Sequence, residues 1–161
     1  MLLHSWHVSL KEGEWRKSFP KFVGPFKIVA FRGVNNGPSP DWMARRLAAI
    51  GQRPISALVD ITNYVMFDLG RPLHAFDIAK IEGDSLFIRQ AKGGEQFHAL
   101  NEKTYSLDAG MLVIGDDHGV DDLAGVMGGE RTGISDSTND MFMEIAVFDP
   151  ISIATTGRRL N

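Results

Sequence analysis

Cysteine is absent from the 161 residues, which excludes disulfides, thiolate catalysis and cysteine-bound zinc. The available chemistry is therefore that of carboxylates, histidines, hydroxyls and the backbone. No apolar run approaches the roughly 18 to 20 residues of a membrane span. The start, Met1-Leu-Leu-His-Ser-Trp6, lacks the basic opening and apolar block of a secretory signal. The chain reads as cytoplasmic, with no membrane partner. Internal repeats and low-complexity stretches are missing as well. The 43% hydrophobic and 23% charged residues suit a globular chain with one sizeable core, and one domain is the default reading.

The net charge of -3 is unevenly spread. Residues 1–53 hold nine Lys/Arg against three Asp/Glu, whereas residues 54–150 hold six against seventeen. A basic end on an acidic body can offer one face to a polyanion, but such charge runs on small domains are more often solvated surface. Neither an RNP-like aromatic motif nor a helix-turn-helix pattern is present, and no DNA partner is expected.

Residues 1–24, with Trp6, Gly13, Trp15 and Pro20, have little periodicity and read as an irregular lead-in or the remnant of a preceding domain. Phe26 to Gly33, bounded by Pro25 and Gly33, suits a buried strand. Ser39 stands as N-cap with Pro40 at the first helical position, and Trp42, Met43, Leu47 and Ile50 recur at helical spacing up to Gly51. Ser56 caps a second helix, Ala57 to Leu69, stopped by Gly70 and Pro72. Short apolar runs at Leu86–Ala91, Met111–Gly115, Asp122–Val126 and Met141–Phe148 describe a sheet-rich body. Asp149-Pro150 opens a last helix. The order of elements predicts an α+β fold rather than regular βαβ.

Few residues carry chemistry. His74, in Arg71-Pro-Leu-His-Ala-Phe-Asp77, follows a helix stop, where it either pins a turn or serves a site. The three-residue gap would place His74 and Asp77 on one side of a turn, but no second histidine stands at ligand spacing, so no metal is expected. Glu144 interrupts an apolar strand and shares a face with Phe142, Ala146 and Phe148. If that face is buried, the carboxylate needs a partner; the other readings are a solvent-facing strand or a structural ion pair. Leu123 to Glu130 packs three glycines into six positions without the spacing or lysine of a phosphate loop. Such glycines make a tight turn or admit a ligand's bulk. Asn63 is polar within an apolar stretch, and it caps, pairs in the core or faces a pocket.

Four literal strings go further: Val59-Asp-Ile-Thr-Asn-Tyr64, Gly70-Arg-Pro-Leu-His-Ala-Phe-Asp77, Ala124-Gly-Val-Met-Gly-Gly-Glu130 and Glu144-Ile-Ala-Val-Phe-Asp-Pro150. In order and spacing they resemble the signatures of the bacterial phenylalanyl-tRNA synthetase β-subunit, in its tRNA-binding and editing module. The resemblance runs from about Phe26 to Arg159. It implies an α+β fold with a mixed sheet or β-sandwich body and flanking helices, in which residues 25–161 are the editing domain. The implied activity is hydrolysis of tyrosine wrongly esterified to phenylalanine tRNA.

The matching pocket positions are Asn63, His74, Gly128 and Glu144, with Ala146 beside Glu144 on the strand. The resemblance implies that Glu144 accepts the tyrosine hydroxyl, that Gly128 leaves room for the ring or the terminal adenosine, and that His74 and Asn63 position the ribose, the ester carbonyl or a water. The implied partners are the aminoacylated 3′ end of phenylalanine tRNA and the synthetase α-subunit. The family's ATP and magnesium belong to synthesis; no ATP site is recognisable here, so no cofactor is expected in this segment and aminoacylation by this chain alone is not expected. The family's module continues beyond the arginine pair matching Arg158 and Arg159 into a histidine- and threonine-bearing segment, so the chain reads as C-terminally incomplete. A noncatalytic module that binds tRNA or packs on the α-subunit is the alternative.

Overall fold

The structure, a computed structural model of the chain, describes residues 6–9, 23–83 and 85–160. In chain order its strands and helices are β1 (Trp6–Ser9), β2 (Val23–Phe31), α1 (Asp41–Ala49), α2 (Ala57–Leu69), β3 (His74–Asp77), β4 (Ser85–Gln90), β5 (Gln96–His98), β6 (Thr104–Ser106), β7 (Leu112–Gly115), β8 (Val120–Leu123), β9 (Met127–Gly128), β10 (Met141–Phe148) and α3 (Pro150–Leu160). The fold is α+β, as the order of sequence signals predicts. Within the stretch read as a lead-in, β1 pairs antiparallel with β4; residues 10–22, including Gly13, Trp15 and Pro20, lie outside the described residues.

The described residues form two compact units. One takes residues 80–132 and 147–160 together with β1, and the other takes Phe26–Ala79 and Gly133–Ala146. The first is built on an antiparallel sheet in the order β1-β4-β7-β8-β9 and the β5-β6 hairpin. Its core gathers Phe97, Leu107, Met111, Val113 and Leu123. Every residue of β7 is buried, as the unbroken apolar run Leu112-Val-Ile demands. The register shifts between Ile114 and Gly115, and a side chain at Gly115 would collide with the Gly119 carbonyl, so only glycine fits this bulge.

A polar cluster lies in the same unit. Arg131 pairs with Asp116 at 2.6 Å and with Asp121, and both carboxylates are fully buried. Asp116 also accepts the backbone N–H groups of Glu82, His118 and Gly119. Burial pulls its pKa upward, but Arg131 and those donors outweigh burial and hold it below the ordinary range. Burial, together with the neighbouring Asp116 charge, pushes Asp121 up to about 6.

The second unit joins the sheet β2-β10-β3 to the α1–α2 pair. Leu58 of α2 packs with Ala75 and Met141 on one face of that sheet. α2 runs over the expected residues, with Gly70 in the left-handed conformation (φ 62°) at its C-cap. Its N-terminal cap differs from expectation. Ser56 makes no side-chain bond to the helix; its hydroxyl accepts from Asn36 at 3.2 Å, and the Asn36 carbonyl oxygen takes the Leu58 N–H at 3.2 Å. A side chain from the loop before α1 thus satisfies one of the orphan donors of α2.

Ser39 is likewise not the N-cap of α1. That position belongs to Pro40, whose carbonyl accepts from Met43 and Ala44. The Ser39 hydroxyl is drawn to the Asp60 carboxylate instead, which is fully buried and also takes the Ile55 N–H. α3 begins as expected, the Asp149 carboxylate accepting the Ser152 N–H at 2.7 Å.

Candidate functional site

Alternation along β10 turns Phe142, Glu144 and Ala146 to one face and Met141 and Met143 to the other. Leu58 covers the second face, with Met141 buried and Met143 packed at its edge. The first face is also buried at Phe142, 1% exposed, and at Glu144, 6% exposed. This removes the solvent-facing reading of Glu144. An ion pair is removed too, because its carboxyl makes none among the described residues, and Oε1 is buried without a hydrogen-bond partner. Burial alone raises its pKa to about 7. Desolvation thus favours the neutral carboxyl, and the described residues supply no donor to Oε1.

His74 lies at the start of a strand, not in a turn, because α2 ends at Gly70 and residues 71–73 carry the chain into β3. The antiparallel register sets it directly opposite Glu144 and sets Phe76 opposite Phe142. Its ring meets that of Phe76 edge-on, centroids 4.5 Å apart. The residue is half-buried, but Nε2 is shut off from solvent, and this burial lowers its pKa to about 4. The imidazole is neutral at physiological pH.

Asp77 is not on the side of His74. An offset of three in a strand reverses the face, and the Asp77 carboxylate is taken by Thr138 at 2.7 Å and the Ala79 N–H at 3.0 Å. Among the described residues no three His, Asp or Glu side chains stand close enough together to hold a metal ion.

Asn63 is half-buried on α2, the helix whose Leu58 packs on the opposite face of the sheet from His74 and Glu144. Ala146 is half-buried two residues beyond Glu144. Gly128 belongs to the other unit, on β9 opposite Asp122. The structure thus brings His74 and Glu144 together in register and leaves Asn63 and Gly128 on other elements. Elsewhere in the second unit, a groove of about 320 Å³ runs between α1 and α2, lined by Arg46, Leu47, Ile50, Tyr64, Phe67 and Asp68. It contains none of the expected site residues.

Two features escaped sequence reasoning. The Arg131–Asp116–Asp121 cluster was signalled by acidic residues inside a strand, the same sign that drew notice to Glu144. Among the clustered glycines, a side chain at Gly129 would collide with the Asp121 carbonyl and lie 3.0 Å from the Phe97 ring, and Gly125 combines a left-handed φ of 71° with Phe148 and Ile153 side chains 2.9 Å from an added Cβ.

The family model described as "B3/4 domain" matches residues 24–161. The chain belongs to the B3/4 domain family. Over 136 residues this B3/4 domain is 55% identical to the phenylalanine–tRNA ligase beta subunit of Rhodopseudomonas palustris, covering 84% of this chain and 17% of that protein. It is 52% identical over 154 residues to the same subunit from Cereibacter sphaeroides, covering 96% of this chain and 18% of that one. The chain therefore spans less than a fifth of the length of the curated relatives it matches. Among solved structures, an N-terminal fragment of the phenylalanyl-tRNA synthetase beta-subunit from Pyrococcus horikoshii shares the fold, with TM-score 0.54 and 12% identity, over 86% of this chain and 46% of that one. No helix among the described residues is long and apolar enough to cross a membrane.

Proposed function

We propose that this B3/4 domain is the editing part of a phenylalanine–tRNA ligase β-subunit, hydrolysing the ester of tyrosine mischarged on phenylalanine tRNA. The observation that carries the reading is Glu144, a buried carboxyl with an unpartnered oxygen directly opposite an imidazole. A synthetic site shaped for phenylalanine cannot strongly reject an isostere that only adds a hydroxyl. A second site reverses the preference by presenting an acceptor where the phenol oxygen falls. Tyrosine donates to Glu144, while phenylalanine leaves that group unpaired and desolvated.

In the hydrolysis a water oxygen adds to the ester carbonyl carbon. The bond from that carbon to the ribose oxygen breaks, the ribose oxygen takes a proton, and tyrosine leaves as its acid. His74, neutral at pH 7, is a weak base and serves as a hydrogen-bonding group that orients the water, the ester carbonyl or the ribose. Ala146, two residues beyond Glu144 on β10, leaves room for the substrate. Partners in the intact enzyme are the aminoacylated end of the tRNA and the α-subunit; ATP and magnesium serve synthesis elsewhere.

The test is deacylation of tyrosyl- and phenylalanyl-charged phenylalanine tRNA by the chain, with Glu144→Ala in parallel. Faster loss of tyrosine that weakens in the variant supports editing. Equal background loss in every reaction sinks editing by this chain and leaves a module that binds tRNA or packs on the α-subunit without turnover.

A further inference from the structure

We infer that Phe76 is a positioning residue of this site, its ring fixing the His74 imidazole through an edge contact and keeping water away from it. Two residues apart on a strand, His74 and Phe76 lie on one face of β3, and their centroids are 4.5 Å apart with planes at 79°. Phe76 is itself immobilised. It is 0% exposed and meets Phe142, its cross-strand partner, at 6.3 Å. An imidazole turns about two side-chain bonds, and an exposed one samples several rotamers. A fixed ring against its edge selects one orientation and removes solvent from that side, so that a neutral hydrogen-bonding group is presented in place. The titratable group opposite is Glu144. It supplies no counter-charge that holds the imidazole protonated, since burial is the cause acting on His74.

This role rests on the editing reading, but its first test does not. NMR titration of the His74 imidazole in the full 161-residue chain, without substrate, is expected to show ring protons displaced from their ordinary positions by the Phe76 ring current and a midpoint near 4. Phe76→Leu moves that midpoint toward the ordinary 6.5. Phe142→Leu removes an equally buried ring that holds Phe76 but leaves the Phe76 ring against His74, and moves the midpoint less. In the deacylation assay Phe76→Leu lowers kcat tenfold or more with KM unchanged, as expected when a group is misplaced rather than lost from binding.

Absence of the ring-current shift in the unsubstituted chain overturns the inference even if Phe76→Leu does not fold. So does a midpoint that is the same in all three proteins, or one that Phe142→Leu moves as far. Failure of the unsubstituted chain to deacylate, with the titration as expected, sinks the editing reading alone.

Discussion

Glu144 on β10 stands directly opposite His74 on β3, so a carboxyl and an imidazole share one face of the three-stranded sheet. Burial acts on them in opposite senses, raising the carboxyl to about 7 and lowering the imidazole to about 4. Both shifts favour the neutral form, since desolvation penalises charge of either sign. At neutral pH the imidazole is uncharged and the carboxyl lies near its midpoint. A donor reaching Glu144 meets an acceptor whose charge depends on pH.

Selectivity is therefore expected to depend on pH. The ionised carboxyl is the stronger acceptor, and a hydrogen bond to a charged group contributes roughly 1.5 to 3 kcal/mol. The ratio of tyrosyl to phenylalanyl ester hydrolysis should rise by up to about tenfold between pH 6 and pH 8. Glu144→Gln, which cannot ionise, should flatten that rise. A ratio that stays constant in the unsubstituted chain would argue against Glu144 as the hydroxyl's acceptor.

The same pair governs stability. A carboxyl raised from 4.5 to about 7 binds its proton more tightly in the folded state, so its contribution is fully present below pH 4.5 and is lost as pH rises through 7. The loss is on the order of 3 kcal/mol. His74, lowered from 6.5 to about 4, runs the other way, its contribution present above pH 6.5 and lost as pH falls through 4. Between pH 4.5 and 6.5 the two slopes largely cancel. Glu144→Gln should match the parent at pH 4 and exceed it by about 3 kcal/mol at pH 8 in urea denaturation. Equal stability at both pH values would mean that the carboxyl is solvated.

Much of this site was legible by parity. A strand's period of two places Glu144 with Phe142 and Ala146, and the sequence shows this without a fold. The partner was not legible, because the register of β10 on β3 joins residues 70 apart through tertiary pairing. The limits of α2 followed from Ser56 and Gly70, but its cap comes from Asn36, 22 residues before Leu58 in the chain. The strand expected over Asp122–Val126 is observed at Val120–Leu123, since the fully buried Asp121 is tolerated beside Arg131. Local hydrophobicity carries no sign of such a pairing.

That pairing makes Arg131 a test of the first unit. Arg131→Met leaves Asp116 and Asp121 buried without their cation, and breaking a buried pair from one side costs about 3 to 5 kcal/mol. The loss should be largest at pH 8 and smaller at pH 5, where Asp121, raised to about 6, takes up a proton. Adding Asp121→Asn should recover part of the loss at pH 8. If the single variant unfolds at the same denaturant concentration as the parent, the cluster is not holding the unit together.

Two glycines separate packing from conformational freedom. At Gly129 an added methyl would meet the Asp121 carbonyl and the Phe97 ring, and neither backbone nor buried aromatic yields readily, so Gly129→Ala should destabilise by about 1 to 3 kcal/mol. At Gly157, inside α3, nothing stands within 4 Å of the added atom. There Gly157→Ala replaces a poor helix former by the best one without a clash, and should stabilise by roughly 0.5 to 1 kcal/mol. Thermal unfolding of the two variants beside the parent should move the midpoints in opposite directions. A fall at Gly157 would mean that the groove beside it, lined by Phe97, Leu123 and Leu160, cannot accommodate a methyl group.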